Sequence, residues 1–322
     1  MSVQDCMELL GDPDHELRST DLMELSGLMG DDLGLFISGW TGLPAPLRQE
    51  VLARLNELAE DNVEMDFSAI YRHALSDADG GVRQRAVAGL WECDDRTVIA
   101  PLLSRLREDA EPGVRAAAAL VLGHFAILAQ TGKLISRDGQ RIYEGLLATL
   151  RAPDEPVAVR RRALEAVSVF SGEDVRRWVR WGYESDQPFL RQSAVHAMGR
   201  SCDVMWLPTL LMEMDSPDPA MRFEAASAAR EMGEEDALER LIELAQDDLD
   251  TQVRLAAVEA IGAIGGSRAI RALKRFMASD DEALVEAATE AMSISDLDAG
   301  DFSLMRMDPR ALLEGLEDLP HE

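Results

Sequence analysis

Apolar residues along this chain recur at spacings of three and four, the period of a helix, and nowhere alternate as a half-buried strand requires. Val98-Ile-Ala-Pro-Leu-Leu-Ser-Arg-Leu, Trp206-Leu-Pro-Thr-Leu-Leu-Met-Glu-Met, Ala237-Leu-Glu-Arg-Leu-Ile-Glu-Leu and Ala269-Ile-Arg-Ala-Leu-Lys-Arg-Phe each read as an amphipathic helix that begins after a turn. A second, Ala-rich helix follows, opened by an acid and then an apolar-Arg pair, as in Asp79-Gly80-Gly81-Val82-Arg83, Asp218-Pro219-Ala220-Met221-Arg222 and Asp250-Thr251-Gln252-Val253-Arg254. A carboxylate suits that position because it accepts from the free amides of a helix start and sits at the positive end of its dipole.

The arginines of this phrase, Arg83, Arg115, Arg160, Arg191, Arg222 and Arg254, stand 32, 45, 31, 31 and 32 residues apart. A period in that range is the mark of a stacked repeat array. Three residues after each Arg comes Ala: Ala86, Ala118, Ala163, Ala194, Ala225 and Ala257. A large side chain there would hold the neighbouring helix away. Seven residues after each Arg, on the same stripe, stand Leu90, Leu122, Val167, Met198, Ala229 and Ile261. Gly123, Gly199 and Gly262 come next and read as the glycines at which a helix turns back.

The pattern predicts an all-α fold, a right-handed α-solenoid (α-α superhelix) of about seven to nine helical hairpins in one continuous domain over 1–322. Residues 1–76 form divergent units around Pro46-Leu47-Arg48 and Leu17-Arg18, 77–292 the regular ones, and 293–322 an acidic cap or tail. In the last regular unit Val285 takes the Arg slot, and terminal units lacking one neighbour are expected to depart from the pattern. Within the tail, Asp308-Pro309 followed by Leu312, Leu313, Leu316 and Leu319 reads as a short capped helix covering the last layer. The 45-residue step carries an insertion around 126–142, read first as a neutral lengthening and second as a binding loop.

With the period, the capping acid, the apolar-Arg pair and the Ala at its fixed offset all present, the chain resembles the HEAT-repeat proteins, in particular the short bacterial type seen in phycobilisome-lyase-like repeats. The resemblance implies a superhelix used as a binding surface. It also implies that the six repeat arginines and the acids preceding them form a structural ladder of hydrogen bonds between units.

Charge narrows the partners. The net charge is −28, carried by the ends: residues 1–80 hold 17 acids against 4 bases, residues 230–322 hold 23 against 9, and the middle is nearly balanced. Acidic ends repel phosphate backbones and anionic lipid, so neither nucleic acid nor a membrane surface is the expected partner. Cys6, Cys93 and Cys202 are odd in number and widely separated, which fits a reducing cytoplasm better than a disulfide framework. No apolar run reads as long enough to span a membrane.

Candidate chemistry is sparse. The iron-dependent deoxyhypusine hydroxylases resemble this array, and they carry His-Glu pairs on their second helices. Here Arg222-Phe223-Glu224 has Phe where His is needed, and the two His-Glu pairs, His15-Glu16 and His321-Glu322, lie at opposite ends. Bilin lyases are a second relative, and Arg176-Arg177-Trp178-Val179-Arg180-Trp181-Gly182-Tyr183 is the best match to a pigment surface. The plainer reading packs both tryptophans inward. HEAT-like DNA glycosylases need a basic groove. His73, His124 and His196 stand apart, and Asp94-Asp95, Asp247-Asp248 and Asp280-Asp281 read as turn acids without calcium-loop spacing. No catalytic, cofactor or metal residue is assigned.

The reading is therefore a non-catalytic scaffold or adaptor that binds another protein on its concave face, with a bilin lyase or lyase chaperone as the alternative. Second helices should line that face, with the residues one and five after each repeat Arg pointing outward. These offsets select Arg161, Glu165, His196, Phe223 and Leu255 as the partner-binding residues, with Arg and aromatic side chains as the anchors.

Overall fold

The computed structural model describes residues 2–12, 15 and 17–305, with side chains as far as 293. Helix makes up 75% of it, and no strand occurs among the described residues. The tail helix expected from Asp308 and the pairs His15-Glu16 and His321-Glu322 fall wholly or partly outside the described residues. The chain divides into two compact units, Met1–Ala197 and Met198–Glu322.

In the first unit the helices are α1 (Val3–Gly11), α2 (Ser19–Leu22), α3 (Gly30–Trp40), α4 (Ala45–Asp61), α5 (Ser68–Ala74), α6 (Gly80–Ala88), α7 (Ile99–Glu108), α8 (Pro112–Gln130), α9 (Ser136–Arg151), α10 (Val157–Val167) and α11 (Glu173–Tyr183), and the division falls inside α12 (Pro188–Arg200). The second holds α13 (Leu207–Glu213), α14 (Pro219–Met232), α15 (Leu238–Asp247), α16 (Thr251–Ile264), α17 (Gly266–Phe276) and α18 (Glu282–Met305). Within each unit the second helices stack on one another, α4 on α6 on α8 on α10 and α14 on α16 on α18. First helices form the other layer, α7 on α9 and α15 on α17.

Small side chains set the spacing of the second-helix layer. The Ala three after each repeat Arg is fully buried in all six hairpins, and the residue seven after it is buried in every one. Gly123, Gly199 and Gly262 serve the same end, which corrects their reading as turn residues. All three lie inside helices. A Cβ on Gly199 would stand 2.5 Å from the Ala228 Cα, and one on Gly262 would stand 2.7 Å from the Ala291 Cβ. The glycines that do end helices are Gly233 (φ +72°) after α14 and Gly265 (φ +68°) after α16, where a side chain would strain the backbone.

Arginine bridges join consecutive hairpins. Arg83 donates from Nε and Nη2 to both oxygens of Asp109, each at 2.7 Å, and Arg222 does the same to Asp248 at 2.7 and 2.8 Å. Arg115 reaches Glu155 at 2.8 Å and Arg254 reaches Asp281 at 2.6 Å. Arg48 extends the series toward the start, donating to Asp77 at 2.9 Å. The same guanidinium groups bond carbonyls of the preceding turn, as Arg83 does to Asp77 O and Arg222 to Ser216 O.

In three of the bridges the acid that receives the arginine is not the capping acid of the repeated phrase, whereas Asp281, which receives Arg254, also caps α18 by accepting from the Leu284 N–H. Asp79, Asp218 and Asp250 cap their own helices, accepting from Val82, Ala220 and Gln252 N–H groups. Asp77, Asp109 and Asp248, two residues before the capping position, take the arginine of the preceding hairpin and the capping residue's own N–H. Arg160 departs from the rule: its guanidinium bonds the carbonyls of Ala152 and Pro153 and lies 5.4 Å over the Trp181 ring.

The long repeat step is taken up by helix. α8 has 19 residues where α14 and α16 have 14, and α9 has 16 where α7 and α15 have 10. The start of α9 is pinned by Asp138, a buried carboxylate bonded by Arg96 from the turn before α7 at 3.0 Å. Lengthening also makes α8 long and apolar enough to cross a membrane by composition alone, which overturns the reading that no run approaches that length. Half of that stretch is buried inside the protein, against α6, α7 and α10.

These bridges predict the acid limb of stability. Burial acts to raise the Asp109 carboxyl, but its bonds from Arg83 and the Glu111 amide, with the nearby Arg105, hold it below the ordinary range. The Arg222 bonds do the same for Asp248 against burial. A lowered folded pKa means stability that is complete above the unfolded value of about 4 and is lost as pH falls through the folded value. Asp109→Asn and Asp248→Asn should each flatten the fall in urea midpoint below about pH 4. Arg222→Ala, which leaves a buried carboxylate unpaired, should cost about 3 kcal/mol. Arg254→Ala should cost much less, because the Asp281 side chain is 38% accessible to solvent. Equal losses for the two arginine variants would refute this ranking.

Candidate functional site

The outward positions of the second helices are partly roofed by the next hairpin. The residue one after the repeat Arg lies against the residue two before the next repeat Arg. A Cβ on Gly81 would stand 2.5 Å from Gln49 Nε2, and one on Gly113 would stand 2.6 Å from Gln84 Oε1. Two hairpins on, the comparable place holds Phe189, 65% exposed, and the Arg161 guanidinium lies 5.7 Å from its ring centroid. Arg161 is therefore half-buried, covered by an aromatic ring on the following helix.

Glu165 is occupied inside the array. It accepts from Arg162 at 2.7 Å and from the buried Ser193 hydroxyl on α12, and Arg161 stands 3.8 Å away. Arg161 and Glu165 thus sit together on α10 in one network that ties α10 to α12. His196 is half-buried on α12. In the second unit Phe223 on α14 is 37% exposed and Leu255 on the adjoining α16 is half-buried. The five selected residues fall as three in the first unit and two in the second.

A more open apolar stripe lies on α8. Leu120, five after its repeat Arg, is 52% exposed, and Ile127, two turns further on the same face, is 36% exposed. Between them His124 bonds Asp94 at 2.7 Å, an acid in the turn after α6. Trp91, in the same turn, is half exposed. The signal was present in the offset that singles out Leu120, but Ile127 becomes visible only once the insertion is known to extend α8.

The arginine-tryptophan stretch forms α11. Its buried stripe is Val175, Val179 and Gly182, and Trp178 and Trp181 flank it half-buried, edge to face with centroids 5.2 Å apart. Arg177 pairs with Asp174 at 2.8 Å. The three cysteines are free thiols, and burial pushes that of Cys6 up to about 11. Among the described residues no group of three or more His, Cys, Asp or Glu side chains comes together as a metal-binding set.

Comparison with known proteins agrees with this architecture. The family model described as HEAT repeats matches residues 69–132 and 207–293. Mouse deoxyhypusine hydroxylase is 27% identical over 106 residues, 32% of this chain and 35% of that protein, so the chain spans about a third of the length of that curated relative. Among solved structures, yeast importin-beta is 12% identical with a TM-score of 0.53 over 91% of this chain and 47% of its own. The complex of phycocyanin lyase from Nostoc sp. is 18% identical with a TM-score of 0.47 over 71% of this chain and 93% of its own. At these identities the structural likenesses speak to fold alone.

The two kinds of outward residue separate by what their loss does to folding. Glu165→Ala strands a buried Ser193 hydroxyl and should cost about 1–3 kcal/mol in thermal or urea unfolding. Phe223→Ala, at a partly exposed position, should cost at most about 1 kcal/mol. A Glu165→Ala protein as stable as the parent would remove the internal role given to that carboxylate.

Proposed function

We propose that this HEAT-repeat protein is a non-catalytic adaptor that binds another protein along its second-helix face. The observation that supports this most directly is the Leu120–Ile127 stripe. Two large aliphatic side chains stand exposed on one helix, at positions where the other hairpins carry smaller, polar or more buried residues. Exposed apolar groups grouped on one face of a folded chain are a recurrent mark of a docking patch. Phe223 and Leu255 give the second unit a smaller patch of the same kind.

HEAT arrays on the whole act through surfaces and not through reacting groups, and fold likeness by itself assigns no chemistry. The second helices carry no adjacent His-Glu pair. The pigment-lyase alternative would draw on α11, whose tryptophans are turned half inward and engaged with each other and with Arg160.

A photo-crosslinking residue placed at 120 or 223 should capture a protein partner in native extract, while the same residue at Arg271, exposed on α17 of the first-helix layer, should not. Leu120→Glu combined with Ile127→Glu should reduce recovery of that partner from a tag on the parent chain by about tenfold or more with the helical signal unchanged. Equal capture at all three positions, or undiminished recovery by the double variant, would sink the second-helix face as the binding surface.

A further inference from the structure

The first-helix layer holds a second surface feature, in the first unit. α7 and α9 run parallel, with matching positions 42 residues apart: Arg96 bonds Asp138 and Leu103 lies against Gly145. Between them is a groove of about 410 Å³. It exists because the side chains that would fill it are small. Ala100, Gly145, Ala148 and Ala152 line it beside Leu103, and a Cβ on Gly145 would come within 2.7 Å of the Leu103 Cδ2.

Two guanidinium groups bracket this apolar floor. Arg141 stands one turn before Gly145 on α9, and Arg107 one turn after Leu103 on α7; both line the groove and both are well exposed. With a rise of 1.5 Å per residue, their attachment points are separated by roughly 12 Å along the groove. Their intrachain partners leave capacity. Arg141 stands 3.6 Å from Asp138, which is already held by Arg96 at 2.8 Å, and Arg107 is paired with its exposed neighbour Glu108. Of the groove's acids, Glu155 is occupied by Arg115, and Glu144, which accepts from Gln140, is attached on α9 at a level between the two arginines.

We infer that this groove docks a short extended acidic peptide segment of a partner protein, with two carboxylates about four residues apart and aliphatic side chains between them. An extended chain advances about 3.3 Å per residue, so four residues match the spacing of the two guanidinium groups. Glu144 between them disfavours a third carboxylate at the centre and fits aliphatic residues there. The arginines bind the ends as charge-assisted hydrogen bonds, and the floor of Ala and Leu supplies the apolar contact. The surface is separate from the second-helix stripe, so an adaptor of this build carries two different docking chemistries.

The test is fluorescence anisotropy of a labelled peptide, Gly-Glu-Leu-Ala-Leu-Glu-Gly, titrated with the full chain. Saturable binding is expected, weakening as salt rises. Replacing both Glu by Lys, or combining Arg107→Glu with Arg141→Glu, should weaken it by at least about tenfold. Ala148→Trp, at an exposed position, should fill the groove and do the same, while Arg271→Glu on the second unit should change nothing. Circular dichroism checks that each variant is folded, and the charge-reversal pair decides the matter if the Trp variant is not. No saturable binding up to about 1 mM, or unchanged binding by the charge-reversal pair, overturns the proposal.

Discussion

An arginine reaching from one hairpin to a carboxylate at the turn of the next is the contact on which the register of this array depends. A helical hairpin has no sheet partner to fix its axial position, and a layer of alanines is smooth enough to permit sliding. The bidentate pairs Arg83–Asp109 and Arg222–Asp248 remove that freedom, because a planar fork meets two oxygens in only one placement. Each receiving acid also accepts the N–H of the following capping residue, so one carboxylate ends one hairpin's turn and orients the start of the next helix. The same residues therefore define both where a helix begins and how it is placed against its neighbour.

Close approach of the second helices follows from that register. Offsets repeat from hairpin to hairpin, so a position that must be small in one is small in all, as the fully buried alanines three after each repeat Arg are. The glycines eight after Arg115, Arg191 and Arg254 meet alanines of the adjoining helix within 3.2 Å or less of where a Cβ would be. Where the register changes chemistry, it does so by substitution at a fixed place. The glycine at positions 81 and 113 becomes Phe189, and the side chain beside it becomes Arg161, which exchanges a close backbone approach for a ring over a cation.

Much of the architecture could be read from the order of residues alone because repetition multiplies weak signals. One Ala or one Arg means little, but six at a common offset specify helices, layer spacing and the stacking direction. Three readings from that order needed the structure. The acids that close three of the bridges, Asp77, Asp109 and Asp248, cannot be separated in the sequence from the capping acid two residues away, since both are Asp or Glu in the same turn. The glycines after the buried stripe looked like helix ends because Gly is common there, and only packing shows that they admit a neighbour. The outward offsets treat each hairpin as standing alone, yet the residue one after the repeat Arg is partly covered by the next hairpin at Gln49 and Arg161, both half-buried.

The insertion shows how such an array acquires specificity without losing its register. Adding about a dozen residues to a stacked hairpin costs little when they extend two helices that already pack, because each new turn adds buried contacts in proportion to the residues it orders. The cost appears as exposed apolar surface at Ile127 on α8, which prolongs the stripe begun by Leu120, and at Ile135 before α9. On the opposite layer the pinning of α9 by Asp138 sets its phase against α7, and that phase places Gly145 opposite Leu103 and leaves the groove between Arg107 and Arg141. One buried carboxylate at the start of a lengthened helix thus sets the layer that carries the groove, and the same bridge chemistry that fixes the regular hairpins also shapes the hairpin that departs from them.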